Sequence, residues 1–256
     1  MTAFHRLLPY TLVILLSLTI AACFAKSGAS YNPDALLQIV DGQCLPHQEQ
    51  QQSPAPCAKV DIAQAYAIYK DRNGPLQYLL IPTSKISGIE SPVLQTPTGQ
   101  ALLAHAWQER IWMSRKAGKP VPDDIVSLTI NAQRARTQNQ LHIHISCLKP
   151  EIRTELDSLA PILTPQWRPL RNALQQQVVW AKRISLHELQ HDNPFRELAQ
   201  GPAQQQIASF GLGLATLPGG DFALLASQQT GPFPHPSMEI IQDHACPQVI
   251  TVATHN

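Results

Sequence analysis

Apolar and polar positions change period several times along the chain. An uncharged, largely apolar run from Leu7 to Phe24 follows His5 and Arg6 and precedes Lys26. At roughly 18 residues it reaches the lower length of a bilayer-spanning helix. A tether runs on through about Asn32, and Pro33 to Val40 has the spacing of a short helix. Ala65 to Lys70 and Gln77 to Pro82 read as strands. Between them Asp71-Arg72-Asn73-Gly74-Pro75 contains the Asn-Gly pair that favours a tight reversal. From Thr98 to about Ala117 the period is helical, carried by Leu102, Leu103, Ala106, Trp107 and Met113, with Thr98 as N-cap and Gly118 as stop.

Further along, Ile125 to Asn131 alternates as a strand, Ala132 to Asn139 is a polar loop, and Gln140 to Leu148 alternates again. Pro150 opens a helix through about Leu159. Arg171 to Ala181 and Asn193 to Ala199 are predicted to be helical pieces. Two last strands, Ser209 to Ala215 and Phe222 to Ser227, flank Pro218-Gly219-Gly220-Asp221. This late hairpin repeats the rhythm of the first, which points to a degenerate internal duplication. The fold expected is α+β, an antiparallel sheet with flanking helices.

Composition narrows the function classes. Lys and Arg number 19 against 18 Asp and Glu, a net charge of +1, so no basic field exists to hold nucleic acid; no nucleic-acid partner is expected. Charged residues make up 14%, well below the usual share of about 25%, and disorder is therefore not expected. The 22 prolines disfavour a helical bundle, because proline removes a backbone donor and fixes φ.

Residues 1–30 are read as a targeting segment and 31–256 as the folded domain. Three readings of that segment compete: an uncleaved membrane anchor, a cleaved signal peptide, and a lipoprotein signal ending at Cys23, preceded by Ile20-Ala21-Ala22. All three carry the domain out of the cytoplasm, where disulfides persist. Cys44, Cys57, Cys147 and Cys246 form an even set with three pairings. The preferred one is Cys44 with Cys57, stapling the unperiodic stretch His47 to Pro56, and Cys147 with Cys246. Free buried thiols are the alternative.

The chemistry concentrates in Gln140 to Leu148. Strand alternation puts His142, His144 and Ser146 on one face and Ile143, Ile145 and Cys147 on the other, toward the core. Successive same-face positions stand about 7 Å apart. A neutral imidazole is a competent nitrogen nucleophile near pH 7, and a neighbour can hold or pass a proton. The same pair also suits a metal site or a structural hydrogen bond.

Asn131, Gln138 and the alternating His142-Ile143-His144-Ile145 frame resemble the histidine-triad (HIT) superfamily of nucleotide hydrolases and transferases. A closer resemblance, to the bacterial CDP-diacylglycerol diphosphatase family, rests on three stretches: Asn73-Gly74-Pro75-Leu76-Gln77-Tyr78-Leu79-Leu80, Thr137-Gln138-Asn139 with His142 to Cys147, and Ile241-Gln242-Asp243-His244 with Cys246. It implies hydrolysis of CDP-diacylglycerol to CMP and phosphatidate at the inner membrane, with the lipid bilayer as a partner, the domain in the periplasm and no cofactor. It also implies a HIT-like fold and nucleophilic attack by His144, with His142 orienting the phosphate or its proton. Gln138, Asn131, Arg136, Asp71 and His244 are the substrate-binding candidates. Arg136 is alternatively a solvated loop cation. Ser146 departs from the superfamily pattern, standing where a third histidine would be; a hydroxyl cannot take up a proton near neutral pH. Leaving-group protonation then falls to water or to His244, with Asp243 orienting it.

Three rival readings remain at this level. His187-Glu188-Leu189-Gln190-His191 fits the zinc-peptidase pattern, but such a site needs a stable helix and a third ligand, and Asn193-Pro194 follows within two residues. A metal held by His142 and His144 is the second. A membrane-tethered binding module without catalysis is the third.

Overall fold

The computed structural model describes residues 32–229 and 238–250. The apolar run at 7–24, Cys23 and all three readings of the targeting segment lie outside the described residues. Among the described residues no helix is long and apolar enough to cross a membrane.

Helix α1 (Ala35–Ile39) continues through a π turn (Val40–Cys44) into α2 (Leu45–Gln51), inside a stretch expected to be loop. Strand β1 (Lys59–Asp61), absent from the sequence reading, leads to the expected hairpin of β2 (Tyr66–Lys70) and β3 (Tyr78–Pro82). The helix expected from Thr98 is instead three short ones: α3 (Pro97–Gln100), α4 (Leu102–Gln108) and α5 (Ile111–Ala117). Thr96, not Thr98, caps the first, and Gly118 ends the last at φ +69°. Glu109 lies at the bend between α4 and α5. Its carboxylate accepts from Lys59 at 2.5 Å, Tyr66 at 2.7 Å and Trp112 at 2.9 Å, which draws the bend toward the sheet.

Strands β4 (Val126–Ile130) and β5 (Ile143–Cys147) and helix α6 (Pro150–Leu159) follow as expected. The segment expected to be helical from Arg171 is a hairpin, β6 (Arg168–Ala173) and β7 (Gln176–Ile184). Ala173 pairs with Gln176, so only Leu174 and Gln175 make the reversal, both at positive φ (51° and 61°). Such turns are usually announced by Gly or Asn-Gly, and Leu-Gln gives no such signal. Val178-Val179-Trp180 has the β-branched and aromatic character of a strand. Helices α7 (Leu186–His191) and α8 (Pro194–Gln200) precede the last hairpin, β8 (Phe210–Thr216) and β9 (Phe222–Gln228).

The nine strands of the described residues form one antiparallel sheet in the order β1-β2-β3-β5-β4-β8-β9-β7-β6. The order repeats. β2 to β5 stand as first, second, fourth, third, and β6 to β9 stand the same way, with the two third strands, β4 and β8, paired at the centre. The repeated unit is hairpin, helices, hairpin, so the last hairpin corresponds to β4–β5 and not to the first, as its rhythm had indicated. In the second half β9 takes the place of β5, and it carries no histidine.

The two faces of the sheet are covered differently. Ile143, Ile145, Leu128, Leu80 and Leu212 pack under α4, α5, α7 and α8 through Leu103, Trp107, Met113, Leu189 and Phe195. The other face has an apolar cluster at each end. One joins Leu79 and Ile81 to Leu36 and Val40, and the other joins Ala215 and Leu225 to Ile152, Leu156, Met238 and Ile241. His142, His144 and Ser146 occupy the same face as these clusters, between them.

Candidate active site

Leu79 on β3 and Thr129 on β4 pair with His144 on either side, so the histidine stands mid-sheet. His142 precedes the strand proper. The chain is held there by the Gln140 amide, which donates to the carbonyls of Pro82 and Ser84 (both 2.9 Å) and accepts from Ile86 N at 3.1 Å. His142 and His144 are 8% and 6% exposed and Ser146 is fully buried. The imidazole rings meet edge to face, 4.8 Å between centroids.

The carbonyl of Gln140 lies 2.7 Å from Nδ1 of His142. A carbonyl only accepts, so Nδ1 carries the proton and Nε2 the lone pair. Around His144, Gln77 Nε2 lies 2.9 Å and Glu239 Oε1 3.3 Å from Nδ1, while Nε2 is buried with no hydrogen-bond partner among the described residues. Burial, which penalises the charged ring, lowers both histidines, His144 to about 3 despite the opposing pull of Glu239. Both are therefore neutral at pH 7.

The segment 238–250 completes the site. Its short 3-10 turn, Met238–Ile241, brings Glu239 beside His144, and Asn131 Nδ2 donates to the other carboxylate oxygen. His244 Nε2 donates to Glu239 Oε1 at 3.1 Å, and its Nδ1 lies 3.0 Å from Ser146 Oγ. Burial by itself raises the Glu239 carboxyl. The adjacent His144 ring and the hydrogen bonds from His244 and Asn131 outweigh it and bring the group down to about 2.

Several contacts fix this segment. Cys246 is bonded to Cys147, as the preferred pairing expected, and Cys44 to Cys57. Gln242 accepts from Thr129 Oγ1 at 3.0 Å and donates to the Ser127 carbonyl at 3.0 Å. Two glycines permit the close approach. A Cβ on Gly213 would come within 2.7 Å of Met238 Cε, and one on Gly74, at φ +66°, would come within 2.1 Å of the His244 carbonyl oxygen.

The other sequence candidates take varied places. Asp71 stands behind the site, its Oδ2 accepting from Gln77 Nε2 at 3.4 Å. Arg136 is not a solvated loop cation: its side chain is 7% exposed and grips Glu90 through two hydrogen bonds, at 2.5 and 2.8 Å. It nevertheless lines, with Gly88, Asn131 and His142, a narrow cleft of about 10 Å³. The Gln138 carbonyl oxygen accepts from Leu36 N at 3.0 Å, at the start of α1. Asp243 Oδ1 accepts from Ala245 N at 2.9 Å, and the carboxylate against His244 is Glu239.

Glu239 and Gln77 were missed. Gln77 shares a face with Leu79, so strand parity would have found it once β3 was known to pair with β5. Glu239 reaches His144 only through the fold of a distant segment.

His187 and His191 do sit on a short helix with stacked rings 4.2 Å apart, but the Glu188 carboxylate is committed to Ser185, accepting from its backbone N and its hydroxyl (both 2.7 Å). No group of three His, Cys, Asp or Glu side chains suited to a metal occurs among the described residues. A cavity of about 460 Å³ at Lys59, Glu109, Trp112 and Arg115 lies by the opposite face of the sheet and is remote from this chemistry.

The model of the CDP-diacylglycerol pyrophosphatase family matches residues 31–250. A CDP-diacylglycerol pyrophosphatase from Yersinia pestis is 45% identical over 240 residues, covering 93% of each chain. Matched over nearly its whole length, and with both histidines on one buried strand face, the chain belongs to the CDP-diacylglycerol pyrophosphatase family.

Proposed function

We propose that this protein hydrolyses the diphosphate of CDP-diacylglycerol to CMP and phosphatidate, with His144 as the nucleophile. Family membership supports the substrate and the bond cleaved. The observation that carries the nucleophile is the Nε2 atom of His144, buried without a partner on a ring that burial keeps neutral.

In the first step Nε2 attacks the cytidine-side phosphorus. The nitrogen–phosphorus bond forms, the anhydride bond breaks, and phosphatidate leaves with the bridging oxygen. Water then cleaves the cytidylyl-histidine, releasing CMP and restoring the lone pair. His142, with its lone pair on Nε2, accepts a hydrogen bond or proton from phosphate or water beside the reacting centre. Arg136 and Asn131, on the cleft next to His142, are the substrate-binding candidates best supported by position. Gln138 acts at one remove, through the start of α1.

The same reading puts the domain in the periplasm at the inner membrane, tethered by residues 1–30, with phospholipid metabolism as its setting. Two disulfides support an oxidising compartment.

The test is acid-labile labelling of the protein from substrate carrying a labelled α-phosphate. His144→Ala is expected to abolish label and turnover together. Turnover retained in that variant would remove His144 as nucleophile. His142→Ala is expected to turn over slowly and still take up some label.

A further inference from the structure

We infer that Glu239 is the positioning residue for His144: its carboxylate fixes the imidazole proton on Nδ1, leaves the lone pair on Nε2, and offsets the positive charge that the ring acquires when phosphorus bonds to it. This rests on the covalent reading of the reaction given above.

Glu239 Oε1 is 3.3 Å from Nδ1 of His144 and 3.1 Å from Nε2 of His244. An ionised carboxylate can only accept hydrogen bonds. Against a bare Nδ1 the contact would set an anion against a lone pair. With a proton on Nδ1 the same 3.3 Å contact becomes an electrostatic attraction, and Nε2 is then the free nitrogen. That nitrogen is the one buried without a partner.

Gln77 is the competing neighbour. Its Nε2 lies 2.9 Å from Nδ1 and 3.4 Å from Asp71, and its Oε1 is buried without a partner. A turned amide presents that oxygen to the Nδ1 proton instead, so that Gln77 accepts it while the Glu239 charge stands beside it. The contact given up is the long one to Asp71.

Attack by a neutral ring bearing a proton on Nδ1 produces an N-phosphorylated imidazolium, a cation in a site whose burial disfavours cations. Glu239 is the carboxylate in contact with that ring, and Asn131 and His244 hold it in place. The proton stays on Nδ1 throughout, the electron pair of the broken anhydride bond leaves with phosphatidate, and hydrolysis returns the ring to neutrality. A carboxylate that orients and supports a reacting imidazole in this way can be worth several powers of ten in rate.

The experiment is single-turnover labelling of Glu239→Gln with the α-phosphate-labelled substrate, at saturating concentration. The rate of label formation is expected to fall by at least about 100-fold with KM within about threefold, and Glu239→Asp to recover part of it. A labelling rate in Glu239→Gln within about threefold of the unsubstituted protein would overturn the inference. Independent of any variant, nitrogen NMR of the histidine-labelled, unsubstituted protein is expected to show a pyrrole-like Nδ1 and a pyridine-like Nε2 at His144. The reverse assignment also overturns it. If the unsubstituted protein forms no label at all, the covalent reading falls instead, and the tautomer measurement still decides whether Glu239 sets the ring.

Discussion

Ser146 Oγ stands 3.0 Å from Nδ1 of His244, a residue 98 positions further along the chain. A neutral His244 that donates through Nε2 to Glu239 accepts at Nδ1, and the Ser146 hydroxyl then donates to it. Ser146 thus takes up a histidine from a distant part of the chain. Ser146→Ala and His244→Ala are each expected to lower kcat/KM, with the double variant little worse than the more damaged single one. A double-mutant cycle should return a coupling of roughly 0.5–3 kcal/mol, as for residues in direct contact. Fully additive losses would mean that the two act independently.

Stability should fall with acid because of the buried imidazoles. His144 has an ordinary value of 6.5 and a folded value of about 3, so between these the unfolded chain binds a proton that the native site refuses. The stabilisation is complete above pH 6.5 and is lost as pH falls toward 3. Glu239 adds a contribution present above its ordinary 4.5 and lost as pH falls toward about 2. Urea unfolding at stepped pH should show a slope of up to about 1.4 kcal/mol per pH unit from His144 below 6.5, flattened in His144→Gln. An unchanged slope in that variant would contradict the assignment.

The two disulfides should differ in what they protect. Cys147–Cys246 spans 99 residues and pins the segment bearing Glu239 and His244 beside Ser146, whereas Cys44–Cys57 spans 13 and staples the end of the π turn to the loop after α2. Replacing Cys147 and Cys246 by serine is expected to cost about 2–4 kcal/mol and to lower turnover of the protein that remains folded. The Cys44, Cys57 double variant should keep more of its turnover. Equal losses in both, measured by thermal melting and substrate assay, would count against the anchoring role.

The zinc-peptidase pattern should prove structural. His187→Ala and His191→Ala are expected to leave CMP release within about twofold of the unsubstituted protein. Glu188→Ala loses the capping box with Ser185 and should cost about 1 kcal/mol of stability with no effect on kcat. Collapse of turnover in His187→Ala would reopen a functional role for the motif.

Much of this arrangement was legible in local pattern. Asn73-Gly74 marked the first hairpin, and the alternation of residues 140–148 correctly set His142, His144 and Ser146 against Ile143, Ile145 and Cys147. Period and turn chemistry are short-range properties, so the amino acids carry them directly. The hairpin at Leu174-Gln175 escaped because its reversal uses ordinary residues at positive φ, stabilised by pairing of β7 with β9 rather than by local preference.

What the sequence determined by itself was the family, the class of fold and the strand that bears the histidines. Tertiary structure alone decided how those histidines are set: that both rings are buried and meet edge to face, that Arg136 pairs with Glu90 beside the cleft, and that Glu239 and His244 stand next to them. The physical reason is distance along the chain. Glu239 lies 108 positions from its partner Asn131, and no local period encodes a contact made only when a disulfide-held segment crosses the sheet over Gly213 and Gly74.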